Sequence, residues 1–161
     1  MRKICGDRRR YLQFLLNFIS NSLKFTQEGG TIKVKIVILE IQDNESSLIE
    51  QTMGSQKHVK LCIIVEDNGM GIKKENLSKL FKDYNKLDEH KNVNAKGTGL
   101  GLSICKKIIN QMGGDVHPES ELGEGTRFLT TIFVRAIDLE NETDLDLRNN
   151  FCLIHATLII P

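Results

Sequence analysis

Four polar residues on an otherwise apolar segment have the types and spacing to do chemistry. Gln13, Asn17, Asn21 and Lys24 follow one another at steps of four, four and three. In a helix that spacing stacks them in one stripe. Leu12, Leu15, Ile19 and Leu23 share an apolar face, which Phe14, Leu16, Phe18 and Phe25 widen. A helix over residues 8–25 is therefore expected, with most of its surface buried. An ordinary surface stripe would carry Glu and Lys, whereas two amides and a lysine fit a pocket wall. Amide oxygens are hard ligands suited to Mg2+, and a lysine is a point charge suited to phosphate. A second reading stands beside this one: the asparagines are solvated or satisfied by backbone. Asp7 suits an N-cap, with Gly6 in the turn before it.

Two glycine-bearing segments add further chemistry. The first is Glu66-Asp67-Asn68-Gly69-Met70-Gly71-Ile72, placed where an apolar run ends. A carboxylate there can accept from an exocyclic amine such as that of adenine, and Gly69 and Gly71 let backbone approach a ligand closely. Alone, the segment is more simply an Asp-Asn-Gly turn. The second is Lys96-Gly97-Thr98-Gly99-Leu100-Gly101-Leu102. Three alternate glycines lead into an expected helix over about residues 99–112, with Leu100, Ile104 and Ile108 along one side and Cys105, Ile109 and Met112 extending the face. Such a helix start exposes N–H groups and favours an anion. The pattern is neither G-x-G-x-x-G nor a Walker A loop, and alone it is weak. Together the three segments offer metal, base and phosphate contacts.

The elements that must position these residues can be placed coarsely. Strands are expected at Thr31–Ile41, Val59–Glu66 and Thr126–Arg135, the first two as an antiparallel pair. A short helix is expected at Lys74–Phe81. The polar stretch Lys82–Lys96 reads as a loop, and Gln42–Lys57 as a surface insertion. Residues 138–150 carry five acids and one base, the pattern of a solvated linker. Phe151–Ile160 suits an added strand or the first strand of a further unit. The expected fold class is α+β: helices layered on one face of a mostly antiparallel sheet.

Composition narrows the function classes. The 161 residues hold 22 basic and 21 acidic side chains, a near-balance that argues against electrostatic wrapping of nucleic acid. Cys5, Cys62, Cys105 and Cys152 are too far apart for a zinc or redox motif and read as reduced cytosolic thiols. The N-terminus lacks the apolar core of a signal peptide. The apolar run 151–160 is too short to span a bilayer, so any membrane attachment belongs to another part of the parent protein.

With these motifs in order, the sequence resembles the ATP-binding catalytic domain of histidine kinases, in the superfamily shared with gyrase and the heat-shock chaperone ATPases. DRRRYLQFLLNFISNSLKFT resembles the N box, DNGMGI the G1 box, LFKDY the F box and KGTGLGLSI the G2 box, and ESELGEGTRFLTTIFV resembles the closing turn and strand. The likeness covers about residues 4–136. It implies a Bergerat-type two-layer α/β sandwich, a mixed and mostly antiparallel sheet under a helical layer, with residues 82–96 as a mobile ATP lid. A domain over residues 1–137 would be followed by an acidic linker and apolar tail over 138–161.

The resemblance also implies roles. Asn21 would ligate Mg2+, with Asn17 beside it near the phosphates and Lys24 on a phosphate. Phe25 and Ile72 would line the adenine pocket. Asp67 would bind the adenine amine, with Gly69 and Gly71 shaping that wall. Gly97, Thr98, Gly99, Leu100 and Gly101 would close over the phosphates, Leu102 would pack beneath, and Thr126 would lie near the adenine. The expected activity is binding of Mg-ATP and presentation of its γ-phosphate to a histidine on a separate dimerisation domain, with a response-regulator receiver downstream in a two-component phosphorelay. Asn17 stands where hydrolysing relatives typically carry a Glu base; an amide cannot take a proton, which fits transfer to a protein acceptor. Asp83 stands where the F box usually has Pro. His58, His90, His117 and His155 all fall outside an H-E-x-x-x-P-like helix, and His117 reads as part of a turn before Pro118. The alternatives are a nucleotide-binding regulatory module and a superfamily ATPase.

Overall fold

The computed structural model describes residues 2–39, 41, 49–53, 58–82, 99–138 and 152–160. Strand β1 (Arg2–Cys5) leads into helix α1 (Arg8–Phe25). Asp7 caps that helix as expected: its Oδ1 accepts from the N–H groups of Arg9 at 2.9 Å and Arg10 at 3.3 Å. A cap of this kind contributes about 1 kcal/mol. Strands β2 (Thr31–Leu39) and β3 (His58–Asp67) form the expected antiparallel pair. Helix α2 (Lys74–Leu77) is shorter than expected, because turn-type bonds from Leu80 to Leu77 and from Lys82 to Lys79 replace its second half. Helix α3 (Gly101–Gln111), β4 (Asp115–Glu121), β5 (Gly125–Asp138) and β6 (Cys152–Ile159) follow.

The sheet runs β6-β2-β3-β5, with β1 and β4 both pairing to β5. Arg135 of β5 faces His58 of β3 and Cys5 of β1, so β1 lies on the side of β5 away from β3. Every ladder among the described residues is antiparallel, rather than mixed. The Phe151–Ile160 run does supply an added strand: β6 pairs with β2 from Thr31↔Ile159 to Val37↔Cys152. The 83–96 part of the expected lid and the acidic 139–150 stretch lie outside the described residues, as does most of the 42–57 insertion.

Strand β4 was not expected. DVHPESE offers only Val116, Pro118 and Ser120 to the helical side, a weak apolar alternation, and Pro disfavours a strand. It is tolerated because β4 is an edge strand, where a ladder N–H can be missing. His117 therefore sits in a strand opposite Leu129, not in a turn.

The core lies between the sheet and the two long helices. Phe14 and Phe18 of α1, Cys105 and Ile109 of α3, and Val65, Phe128 and Ile132 of the sheet form its centre. Phe18 stacks on Phe128 at 4.8 Å between ring centroids. The expectation for the helix faces needs correction. Leu12, Leu16 and Leu23 remain 40%, 59% and 45% exposed, whereas α1 buries Phe14, Phe18 and Ser22. At 100° per residue those three form one row, and the large rings win the sheet-facing side. In α3 the buried row is Cys105 and Ile109, and Ile104 is exposed. Burial pushes the Cys105 thiol up to about 12.

Candidate functional site

Strand β3 ends at Asp67, and three elements converge on its carboxylate. Ser22 of α1 donates its hydroxyl to Oδ2 at 2.6 Å. Gly69 in the turn after β3 and Thr126 of β5 donate backbone N–H groups to Oδ1 at 3.0 and 3.2 Å. Asp67 is 8% exposed and Ser22 1%. A buried carboxylate needs such donors, and these hold it rigidly where α1, the glycine turn and β5 meet.

The turn is stitched to its surroundings. Met70 donates its N–H to the Phe25 carbonyl at 3.0 Å, and Gly123 donates to the Met70 carbonyl at 2.8 Å. Gly71 adopts φ +68°, and a Cβ there would lie 1.9 Å from the Glu121 carbonyl, so both backbone angle and space require glycine. Ile72 is buried with Leu80 in a small second cluster that Phe81, Leu77 and Leu102 complete. Its N–H donates to Ser120 Oγ at 2.8 Å, and that hydroxyl donates to the Gly125 carbonyl at 2.6 Å and lies 3.0 Å from Thr126 Oγ1.

On α1 the amide stripe is real. Asn21 Nδ2 donates to Asn17 Oδ1 at 3.2 Å, and both residues are half-buried. Lys24 places its ammonium 5.5 Å from the centroid of the Phe25 ring. Helix α3 starts against this stripe, since a Cβ on Gly101 would lie 2.6 Å from Asn17 Nδ2. Leu100 is the capping residue of α3 and supplies no side-chain cap. The start of the helix, where the dipole favours an anion, thus lies beside Asn17.

The structure thus brings Asn17, Asn21 and Gly101 together at one end. Phe25, Asp67, Gly69, Gly71, Ile72 and Thr126 come together at the other. Leu102 packs against both the main core and the small Ile72–Leu80 cluster. Gly99, at φ +74°, and Leu100 lead into α3. Gly97, Thr98 and Asp83 lie outside the described residues. Sequence reasoning missed Ser22 and Ser120. Ser22 had a signal: it continues the Phe14–Phe18 row by another step of four, a polar residue on a core-facing row. Ser120 had none, because the strand carrying it was not expected. Among the described residues no group of three or more His, Cys, Asp or Glu could hold a metal, and no helix is long and apolar enough to cross a membrane.

Comparison with known proteins agrees with this geometry. Residues 6–136 match the family described as histidine kinase-, DNA gyrase B-, and HSP90-like ATPase. The chain is 45% identical over 128 residues to hybrid signal transduction histidine kinase B of Dictyostelium discoideum, a match covering 79% of this chain and 6% of that protein. It is 32% identical over 144 residues to the sensor protein GacS of Pseudomonas syringae pv. syringae, covering 89% of this chain and 14% of that one. The chain thus spans a small part of these relatives. Among solved structures, the nucleotide-free catalytic domain of histidine kinase ThkA superposes with a TM-score of 0.54 at 30% identity, over 81% of this chain and 70% of that one. Full-length ShkA in complex with AMPPNP gives 0.55 at 28% identity, over 84% and 24%. This chain belongs to the histidine kinase-, DNA gyrase B- and HSP90-like ATPase family, as an ATP-binding catalytic domain of the histidine kinase type.

Proposed function

We propose that the chain binds Mg-ATP between α1, the turn after β3 and the start of α3, and presents the γ-phosphate to a histidine on a separate domain. The observation that carries this reading is the Asp67 carboxylate, buried yet fixed by donors from three elements. Asp67 accepts the adenine amine there, Phe25, Ile72 and Thr126 line the base, and Gly69 and Gly71 let the wall approach it. Lys24 and the segment Gly97–Gly101 receive the phosphates, with Leu102 packing beneath.

Asn21 fits a role in holding Mg2+. Its Nδ2 is engaged with Asn17, which leaves its Oδ1 without a donor among the described residues. An amide oxygen suits this hard cation, which is commonly bound through few protein ligands together with substrate phosphates and water. The metal would supply charge neutralisation at the transferring phosphoryl group. Asn17 at the neighbouring position cannot act as a base, so the attacking group is the acceptor histidine, and catalysis here is positioning and electrostatics. Residues 1–137 act as the nucleotide-binding unit and 138–161 as an appended segment of a cytoplasmic part of a longer protein. The partners are a phosphoacceptor domain and, downstream, a receiver domain.

Calorimetric titration of Mg-ATP into the chain, beside Asp67→Asn, tests the pocket. Saturable one-to-one binding that weakens in the variant is expected, as is no phosphohistidine on the chain alone. Absent binding by a folded wild-type chain refutes the nucleotide assignment, and stoichiometric phosphohistidine on the chain alone refutes the separate acceptor.

A further inference from the structure

The turn from α1 into β2 borders the pocket yet has little stiffness of its own. It holds Gly29, at φ +77°, and Gly30, and its internal bond runs from Gly30 N–H to the Gln27 carbonyl at 2.9 Å. Two adjacent glycines leave such a turn many conformations. It is held from outside by the residue after β6: Gly29 donates to the Ile160 carbonyl at 2.9 Å, and Ile160 donates to the Gly30 carbonyl at 2.9 Å. Ile160 is half-buried and packs against the main core.

The clamp continues into the pocket. Thr31, next in the chain, donates its N–H to Asn68 Oδ1 at 2.7 Å, and Asn68 donates its N–H to the Thr31 carbonyl at 3.3 Å. Asn68 stands between Asp67 and Gly69. At the other end of the turn, the Phe25 carbonyl takes the Met70 N–H at 3.0 Å. Beside its bonds to Asp67, Gly123 and Ser120, the turn after β3 is thus tied to both ends of the α1–β2 loop, and Ile160 grips that loop.

We propose that β6 is a positioning strand for the nucleotide pocket: through Ile160 it fixes the Gly29-Gly30 turn and thereby the Asn68–Met70 backbone beside Asp67. This rests on the nucleotide reading above. Strand β6 suits a reversible role. Among the described residues it is an edge strand with β2 as its one neighbour, its register shifts at Ile36/Val37, and Leu158 and Ile159 remain 49% and 67% exposed. A strand laddered on one side opens at lower free energy than the strands inside the sheet. A pocket whose competent form is present in only a fraction of molecules binds more weakly by that fraction. Docking of β6 therefore sets nucleotide affinity.

The test uses the full chain. Ile160→Pro removes the N–H that holds Gly30, Ala156→Pro disrupts β6 midway, and Ile160→Val keeps every backbone bond. Mg-ATP affinity is read by calorimetry, and amide hydrogen exchange is read residue by residue. Affinity is expected to fall about five- to tenfold in Ile160→Pro, the scale of one backbone hydrogen bond. Ala156→Pro should fall at least as far, and Ile160→Val should match wild type. Exchange at Gly29, Asn68 and Met70 should quicken in both proline variants, while Ile63 and Val65 of β3 stay protected. Unchanged affinity and exchange in both proline variants overturn the proposal. So does a fall in affinity that comes with lost protection at Ile63 and Val65, which marks general destabilisation. If the wild-type chain binds no ATP, the ligand reading fails, and exchange at Asn68 and Met70 decides the positioning by itself.

Discussion

Ser22 and Asp67 should be coupled energetically, and a double-mutant cycle measures by how much. Ser22 Oγ donates to Asp67 Oδ2 at 2.6 Å. Hydrogen bonds to charged groups contribute about 1.5–3 kcal/mol. Ser22→Ala leaves Oδ2 without that donor in a site only 8% exposed, so a loss of about 2 kcal/mol is expected. Asp67→Asn can keep its oxygen on the Gly69 and Thr126 N–H groups. Its amide then faces the Ser22 hydroxyl, which can rotate to accept. The bond survives as a neutral one of roughly half the strength, a loss of about 1 kcal/mol. Removing Ser22 from that variant costs about 1 kcal/mol rather than 2, so the double variant should fall short of the sum of the singles by about 1 kcal/mol. Urea unfolding of the four chains, with a common m-value, reads this directly. Additivity within about 0.5 kcal/mol would falsify the coupling, since independent sites behave that way. Mg-ATP affinity should meanwhile drop about tenfold or more in Asp67→Asn, because its amide no longer offers a charged acceptor, and less in Ser22→Ala, where the carboxylate remains.

Phe18→Ala should destabilise the chain by about 3–5 kcal/mol in denaturant unfolding, because a fully buried ring stacked on Phe128 is lost; a loss under about 1 kcal/mol would contradict that packing. The hydrogen bond from Lys106 holds the Asp115 carboxyl below its ordinary value. A depressed carboxylate stabilises the fold above its unfolded value, near 4, and that contribution is lost as the pH falls through the folded value. Lys106→Ala should therefore cost about 0.2–1 kcal/mol at pH 7, the size of an exposed pair, and the gap to wild type should close well below pH 4; a gap that persists there contradicts the pairing. Cys105, with its thiol pushed up to about 12 by burial, should resist alkylation at pH 8 while the chain is folded and react on denaturation, as peptide mass spectrometry would show. Rapid modification of the folded chain would count against its burial.

Local pattern and tertiary arrangement divided the information in this protein. Helix α1, its Asp7 cap, the β2–β3 pair and the start of α3 were legible because neighbours in sequence produce them: periodicity, a capping side chain and glycines act over a few residues. The order of the N-, G1-, F- and G2-box motifs identified the family for the same reason. Tertiary structure alone decided which side of α1 is buried, since apolar residues spread over most of the surface beside the amide stripe and only the sheet selects the Phe14–Phe18–Ser22 row. It alone made DVHPESE a strand, by providing an edge that tolerates proline, and it joined Ser22 to Asp67 across 45 positions of sequence. It also brought Ile160 back to Gly29 and Gly30, a contact between distant segments that no local pattern encodes.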